Sequence, residues 1–339
     1  MLRNEASMNV MLRNEASINV MLRNEASINV MLRNEASINV SRIITATIKN
    51  QAGRQRENSM VNSIDISPLF LFSNLDNWEE IGAIYSKQSR DKILVTPDMI
   101  ALANKITGNK QGIEAARAIY NWVAQNIQYV AIYLNESAGY VPNSSSDVLQ
   151  NGYGDCKDHV VLMQALLKAK GIDAYAVLVD WGDIYEKLPL PAPHFNHAMI
   201  YLPAYKIFAN PTAHDAAFGE LDTSLSGKFV VIASDKVEIA YTPKTTAEQN
   251  RYTITNTIKI SADGSINGEA EMKFFGDIDD STRSYFNSDT PEQIANQLLS
   301  STSEGGTGWI EKNDINFYVF HVESLLIVVL KRQISFKTS

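Results

Sequence analysis

Tyr153-Gly154-Asp155-Cys156-Lys157-Asp158-His159 holds the only cysteine of the chain, at the point where a glycine-rich turn gives way to an apolar periodicity. Val160, Val161, Met163, Leu166, Leu167 and Ala169 recur at spacings of three and four, which predicts a helix that begins near Cys156 and ends before Gly171. Cys156 then falls in the first turn, where unpaired backbone N–H groups and the positive end of the helix dipole favour an anion. The position is expected to lower the thiol pKa and make the sulfur a better nucleophile near neutral pH. Without partners the same residue also reads as a buried structural cysteine.

Partners are found downstream. Phe195-Asn196-His197-Ala198-Met199-Ile200-Tyr201-Leu202 reads as a strand that opens with a histidine, and Lys206 to Thr212 as a second strand closing on Asn210-Pro211. A short turn at Pro203 to Tyr205 makes them a hairpin, and antiparallel pairing puts His197 and Asn210 at the same end of it. Cys156, His197 and Asn210 therefore supply, in chain order, a nucleophile, a base and a group that orients the base. His159, three residues after the thiol, is expected to be a polar position on a partly exposed helix. His194 and His214 are expected to be solvated loop residues. A zinc site from Cys156, His194, His197 and His214 lacks any CxxC or HExxH spacing, so no metal is expected.

These segments resemble the bacterial transglutaminase-like superfamily. The nucleophile segment from Tyr153 to His159, Phe195 to Ala198, and Asn210-Pro211-Thr212 match its three catalytic motifs in order. Trp78-Glu79-Glu80, the helical stretch from Gly112 to Ile127, and Tyr129-Val130 resemble the region that precedes the nucleophile in one branch, where a β-rich domain comes before the core and a β-rich segment after it. The resemblance implies an α+β fold with a papain-like core, in which the nucleophile helix packs on an antiparallel sheet and a β-rich accessory module follows. It also implies cysteine-dependent acyl transfer to or from peptide or isopeptide amides through a thioester, by hydrolysis more than by cross-linking. The implied site is Cys156, His197 and Asn210, with no cofactor and a protein or peptide as substrate. Asn210 departs from the family, whose third position is commonly Asp, and a neutral amide stabilises imidazolium less than a carboxylate does. The alternative is a catalytically impaired binding module of the bacterial envelope that keeps the fold. The backbone N–H of Cys156 is one candidate oxyanion donor, and no second donor is readable; Tyr129 and Tyr140 are upstream aromatic candidates that also read as packing residues.

The rest of the chain sets limits. Its 339 residues, 45% of them hydrophobic, are enough for two globular units and a leader. A formal charge of −8 with no Lys/Arg cluster argues against nucleic-acid binding. In residues 1–40 a decapeptide occurs four times, differing only at Met8 against Ile18, Ile28 and Ile38. Ten-residue copies rotate a helical stripe by about 80° each, so this stretch is expected to lie outside the fold, as translated repetitive DNA or a misplaced start, with an oligomerising helix or strand array as the alternative. Residues 41–77 are expected to be a remnant of a β-rich domain, 78–225 the catalytic core, 226–305 a β-rich module with a hairpin turn at 262–264 and a short helix at 291–299, and 306–339 a divergent tail. The apolar run from Phe317 to Leu330 is too short to span a bilayer. No signal peptide is readable, because every repeat carries Arg, Asn and Glu, and family resemblance alone points to the periplasm or cell envelope. The sequence does not fix the oligomeric state.

Overall fold

The computed structural model describes residues 6–13, 19–23, 27–32, 41–48, 55, 57–67, 69–131, 139–262, 265–288, 290, 293, 307–311 and 324–333. Four strands come first: β1 (Ala6–Arg13), β2 (Asn19–Arg23), β3 (Ser27–Leu32) and β4 (Ser41–Ile48). β1 and β3 flank β4 antiparallel in equivalent register, with Ile44 opposite both Val10 and Val30. Residues 1–40 therefore contribute strands, against the expectation that they lie outside the fold. The reason is arithmetic. A ten-residue period is even, so the two-residue alternation of a strand recurs in phase from copy to copy, whereas a helical stripe does not.

Next come α1 (Ser63–Ile66), β5 (Leu69–Ser73), which pairs with β2, and the helices α2 (Trp78–Ser89), α3 (Pro97–Thr107) and α4 (Gly112–Asn126). Local chemistry fixes where the helices begin. The Asn77 side chain accepts from Glu80 N at 3.1 Å at the start of α2, and the Thr96 hydroxyl accepts from Met99 N at 3.2 Å before Pro97 opens α3. β6 (Gln128–Tyr129) then pairs in parallel with β7 (Tyr153–Gly154) across α5 (Ser145–Asn151), and α6 (Cys156–Ala169) follows at once.

The sheet that receives α6 is antiparallel throughout. It consists of β8 (Tyr175–Val179), β9 (His197–Leu202), β10 (Ile207–Ala209), β11 (Phe229–Ala233) and β12 (Glu238–Tyr241), in the order β10-β9-β8-β11-β12. α6 packs on α3, α4 and α5 on one side and on β8 and β9 on the other. Every residue from Cys156 to Leu167 is buried, so α6 is a central helix, where the sequence reading has a helix with a solvated face. β11 and β12 belong to this core sheet, so the boundary expected at residue 225 cuts through the core; the core sheet runs on to Tyr241. The whole is α+β, with the Cys156-bearing helix α6 packed on an antiparallel sheet.

Beyond the core, β13 (Tyr252–Ile260), β14 (Ser265–Phe274), β15 (Thr307–Glu311) and β16 (Ser324–Gln333) form a second sheet in the order β13-β14-β16-β15. Strands from 306–339 thus extend the module that the sequence reading ends at 305. A helix, α7 (Asp277–Ser288), lies where none was expected, because its buried members, Asp279, Asp280 and Arg283, are charged. The turn expected at 262–264 and the helix expected at 291–299 fall largely outside the described residues. Among the described residues no helix is long and apolar enough to cross a membrane.

Candidate active site

The site begins with a close approach. A side chain on Gly154 would sit 2.5 Å from Asp158 Cβ, so only glycine lets β7 run this tightly into α6. The Asp158 carboxylate then binds the entry to the helix. It accepts from Asp155 N at 3.2 Å, from Asn143 N at 2.8 Å and from Asn143 Nδ2 at 3.1 Å. Asp155 also takes the buried Lys157 ammonium. These contacts fix the first turn of α6, where Cys156 is 8% exposed.

His159 corrects its expectation. It is buried, with Nδ1 2.8 Å from Asp155 O and Nε2 3.1 Å from Ile127 O, and so ties the first turn to the end of α4 instead of facing solvent. It lies on the α4 side because one helical turn from Cys156 places it over the α4–β6 junction. His194 is half-buried against Trp78 and Phe195, and its pKa is lowered by burial. His214 is exposed beside Asp215. Among the described residues no group of three or more His, Cys, Asp or Glu side chains is arranged to hold a metal ion.

The β9–β10 hairpin brings His197 and Asn210 together. Ile200 pairs with Ala209 and Leu202 with Ile207, and the turn passes through Lys206 at φ 55°. One step beyond the ladder, His197 Nε2 lies 3.0 Å from Asn210 Oδ1. The amide orientation follows from its neighbours. Thr212 N, which can only donate, lies 3.3 Å from the same oxygen, and Thr212 Oγ1 donates to it at 2.7 Å. His197 therefore donates through Nε2, and the neutral ring keeps its lone pair on Nδ1. Among the described residues Asn210 Nδ2 is buried with no hydrogen-bond partner. Tyr120 Oη donates to Asn210 O at 3.1 Å and so holds the Asn210 backbone from α4.

The sulfur lies beside the start of β9. Cys156 packs in one apolar cluster with Ala198, the residue after His197, and the Ala198 and Lys157 backbone N–H groups favour its anion, so the thiol lies beside the strand that carries His197. No hydrogen bond joins thiol to imidazole directly. Burial pushes the Cys156 thiol up and Asp155 adds to that, against the smaller opposing effects of the two N–H groups and the Lys157 charge. The depression expected from the helix start is therefore overridden by desolvation. Burial likewise lowers His197 to about 4, only partly offset by Asn210 and Asp222. At neutral pH the resting pair is thus a thiol and a neutral imidazole.

Two residues of this neighbourhood escape the sequence reading. Trp181 lies over His197, ring centroids 4.5 Å apart, anchored by Nε1–H to Ser224 Oγ at 2.8 Å and by its N–H to Asn196 Oδ1 at 2.7 Å. It shields the imidazole–amide contact from water; nothing in Val179-Asp180-Trp181-Gly182 ties it to His197 before the sheet is folded. Tyr85, on α2, packs in the same apolar cluster as Cys156, and its buried hydroxyl has no hydrogen-bond partner among the described residues. Tyr140, by contrast, is half-exposed and donates to Pro193 O at 3.3 Å, and the exposed Tyr129 ring lies 6.0 Å from His159.

A family model and one solved structure agree with this architecture. The family model of the Transglutaminase-like superfamily matches residues 100–198, a stretch that includes Cys156 and His197 and ends before Asn210. A search of curated proteins returns no match. A solved structure of a candidate protease from Parabacteroides distasonis ATCC 8503 superposes with a TM-score of 0.52 at 15% identity, over 76% of this chain and 51% of that one. A candidate cysteine protease from Cytophaga hutchinsonii gives a TM-score of 0.27 at 16% identity, over 60% of this chain and 66% of that one. The chain thus spans about half the length of the Parabacteroides protein. Taken with the helix-on-antiparallel-sheet core, the family match identifies residues 100–198 as a transglutaminase-like domain.

Proposed function

We propose that Cys156 is the nucleophile of a transglutaminase-like cysteine enzyme that breaks peptide or isopeptide amides through a thioester, with His197 as base and Asn210 as its orienting residue. The observation that carries the reading is the 3.0 Å contact between His197 Nε2 and Asn210 Oδ1. It directs Nδ1, the basic nitrogen, away from the amide, on a strand whose next residue, Ala198, packs in the same cluster as Cys156.

The chemistry follows from the resting protonation states. His197 Nδ1 takes the S–H proton as sulfur bonds to the carbonyl carbon, and the carbonyl π pair moves to oxygen. Cys156 N–H, at the first helical position, has no intrahelical acceptor and can donate to that oxygen. The imidazolium passes its proton to the amide nitrogen as the C–N bond breaks, leaving the acyl group on sulfur. Water, or an amine, attacks the thioester with His197 again as base, and the thiol is restored. The thiol–imidazole contact closes with substrate bound, as catalytic hydrogen bonds often tighten only in the complex.

The neutral Asn210 and the upward-shifted thiol favour a second reading, a binding module of the same fold without turnover. Incubation with a library of peptide and isopeptide amides separates the two. The enzyme releases amine or ammonia in a reaction absent from Cys156→Ser, whereas the binding module binds peptide saturably with no Cys156-dependent release.

A further inference from the structure

Beside the nucleophile lies a cavity of about 450 Å³ that the catalytic scheme does not use. Its apolar lining includes Leu75, Ile81, Ile84, Val141, Leu178 and Phe195, and no charged side chain faces it. Ile81, Leu178 and Phe195 pack in the same cluster as Cys156, so the cavity wall is continuous with the surroundings of the sulfur. Cys156 itself, His197, Asn210 and Trp181 are absent from the lining, so the cavity adjoins the site through the shared cluster residues.

Tyr85 also lines this cavity, from the third turn of α2. It is 4% exposed, and among the described residues its buried hydroxyl has no hydrogen-bond partner. A buried hydroxyl without a partner costs about 1–3 kcal/mol, whereas phenylalanine in the same shape would cost nothing of the kind. The group is placed as a donor awaiting an acceptor. Burial pushes its pKa far above the ordinary tyrosine value, and Cys156 is the charge that adds most to that shift, so the hydroxyl keeps its proton beside an anion formed at the sulfur.

Resting on the reading that Cys156 is acylated, we infer that this cavity is the acyl-side subsite for an uncharged, apolar or aromatic side chain, and that the Tyr85 hydroxyl is the second donor to the carbonyl oxygen. The side follows from proton traffic. The leaving amine must lie against His197, which protonates it, so the group that stays on sulfur extends the other way, toward α2. Charged acyl side chains are rejected because the lining offers no countercharge and burial would strip their water. In the addition step the C–S bond forms, the π pair moves to oxygen, and that oxygen accepts from Tyr85 Oη–H and Cys156 N–H with no proton transferred from either.

Two measurements test this, both read on Cys156 by mass spectrometry. The first compares two peptidyl chloromethyl ketones that differ only in a phenylalanyl or glutamyl side chain. Wild type should react at least about tenfold faster with the phenylalanyl reagent, and Ile84→Glu, at a half-exposed rim position, should erase that preference. The second uses Tyr85→Phe. It should slow acylation by an activated ester by about a hundredfold, while alkylation by iodoacetamide, which forms no oxyanion, stays within about twofold and the melting temperature does not fall. Equal rates for the two ketones, or a preference indifferent to Ile84→Glu, would overturn the subsite; equal loss or no loss in both Tyr85→Phe reactions would overturn the donor. If no ester acylates Cys156 at all, the proposed enzyme fails and the inference with it, an outcome distinct from acylation without selectivity.

Discussion

Replacing Asn210 by Asp perturbs the site at one atom and has a calculable effect. The wild-type amide oxygen lies 3.0 Å from His197 Nε2, and the ring titrates at about 4 because burial disfavours imidazolium. A carboxylate there sees the ring charge at about 4 Å, an attraction of about 4 kcal/mol at an effective dielectric constant of about 20. Subtracting about 1 kcal/mol for the hydrogen bond the amide already makes leaves about 3 kcal/mol, or about two pK units. The Thr212 N–H and hydroxyl remain to hold the new carboxylate in its charged form. His197 in Asn210→Asp should therefore titrate near 6, and turnover should be kept or raised because the base is stronger. Asn210→Ala should lower turnover by about a hundredfold or more, since the ring loses its tautomer and its aim. Long-range ¹H–¹⁵N spectra of the five histidine rings across pH, with His197 assigned by its loss in His197→Gln, report the value directly. A His197 pKa that moves by less than about half a unit in Asn210→Asp would refute the contact and the electrostatic reasoning built on it.

Stability should depend on pH through the same ring. With a folded pKa of about 4 against about 6.5 unfolded, the unfolded chain binds the extra proton between these values. Stability is therefore full above pH ~6.5 and falls by about 3 kcal/mol as pH drops to ~4, and urea midpoints of wild type minus His197→Gln should isolate that loss. Asp280 has the opposite sign: burial and the nearby Glu220 raise it to about 8, so its ionisation opposes folding as pH rises, and Asp280→Asn should raise the melting temperature more at pH ~9 than at pH ~5. Leu166, fully buried on α6 between helices and sheet, should cost about 3 kcal/mol on Leu166→Ala by chemical denaturation, with the slope of the transition unchanged.

What could be read in the sequence was what short-range pattern encodes. The helix from Cys156 announces itself through its apolar spacing, and the meeting of His197 with Asn210 follows from a short turn between two short strands. Neither depends on distant parts of the chain. The remainder does. β11 joins the core by pairing with β8, some fifty residues earlier, and strand composition does not name a strand's partner, which is why a boundary at 225 looked natural. The thiol pKa escapes local reading for a related reason: the helix start is a local feature, but the desolvation that outweighs it is produced jointly by α2, β8, β9 and β11. Trp181 and Tyr85 carry no local mark at all; the first reaches His197 across the β8–β9 connection, the second reaches the Cys156 cluster from a helix far upstream. The polar α7 carries no apolar periodicity, because its buried face is built from an Asp279–Arg283 pair instead of apolar side chains.

The central claim is that the Cys156 sulfur takes up an acyl group with His197 as its base. Its most direct test is intact-protein mass spectrometry after acid quench of a short incubation with an activated acyl ester carrying an apolar side chain. The expected result is a single acyl adduct mapped to Cys156, labile to hydroxylamine as a thioester is, absent from Cys156→Ala and formed at least about a hundredfold more slowly by His197→Ala. An adduct on another residue, or one that forms on Cys156 at the same rate with and without His197, would contradict it.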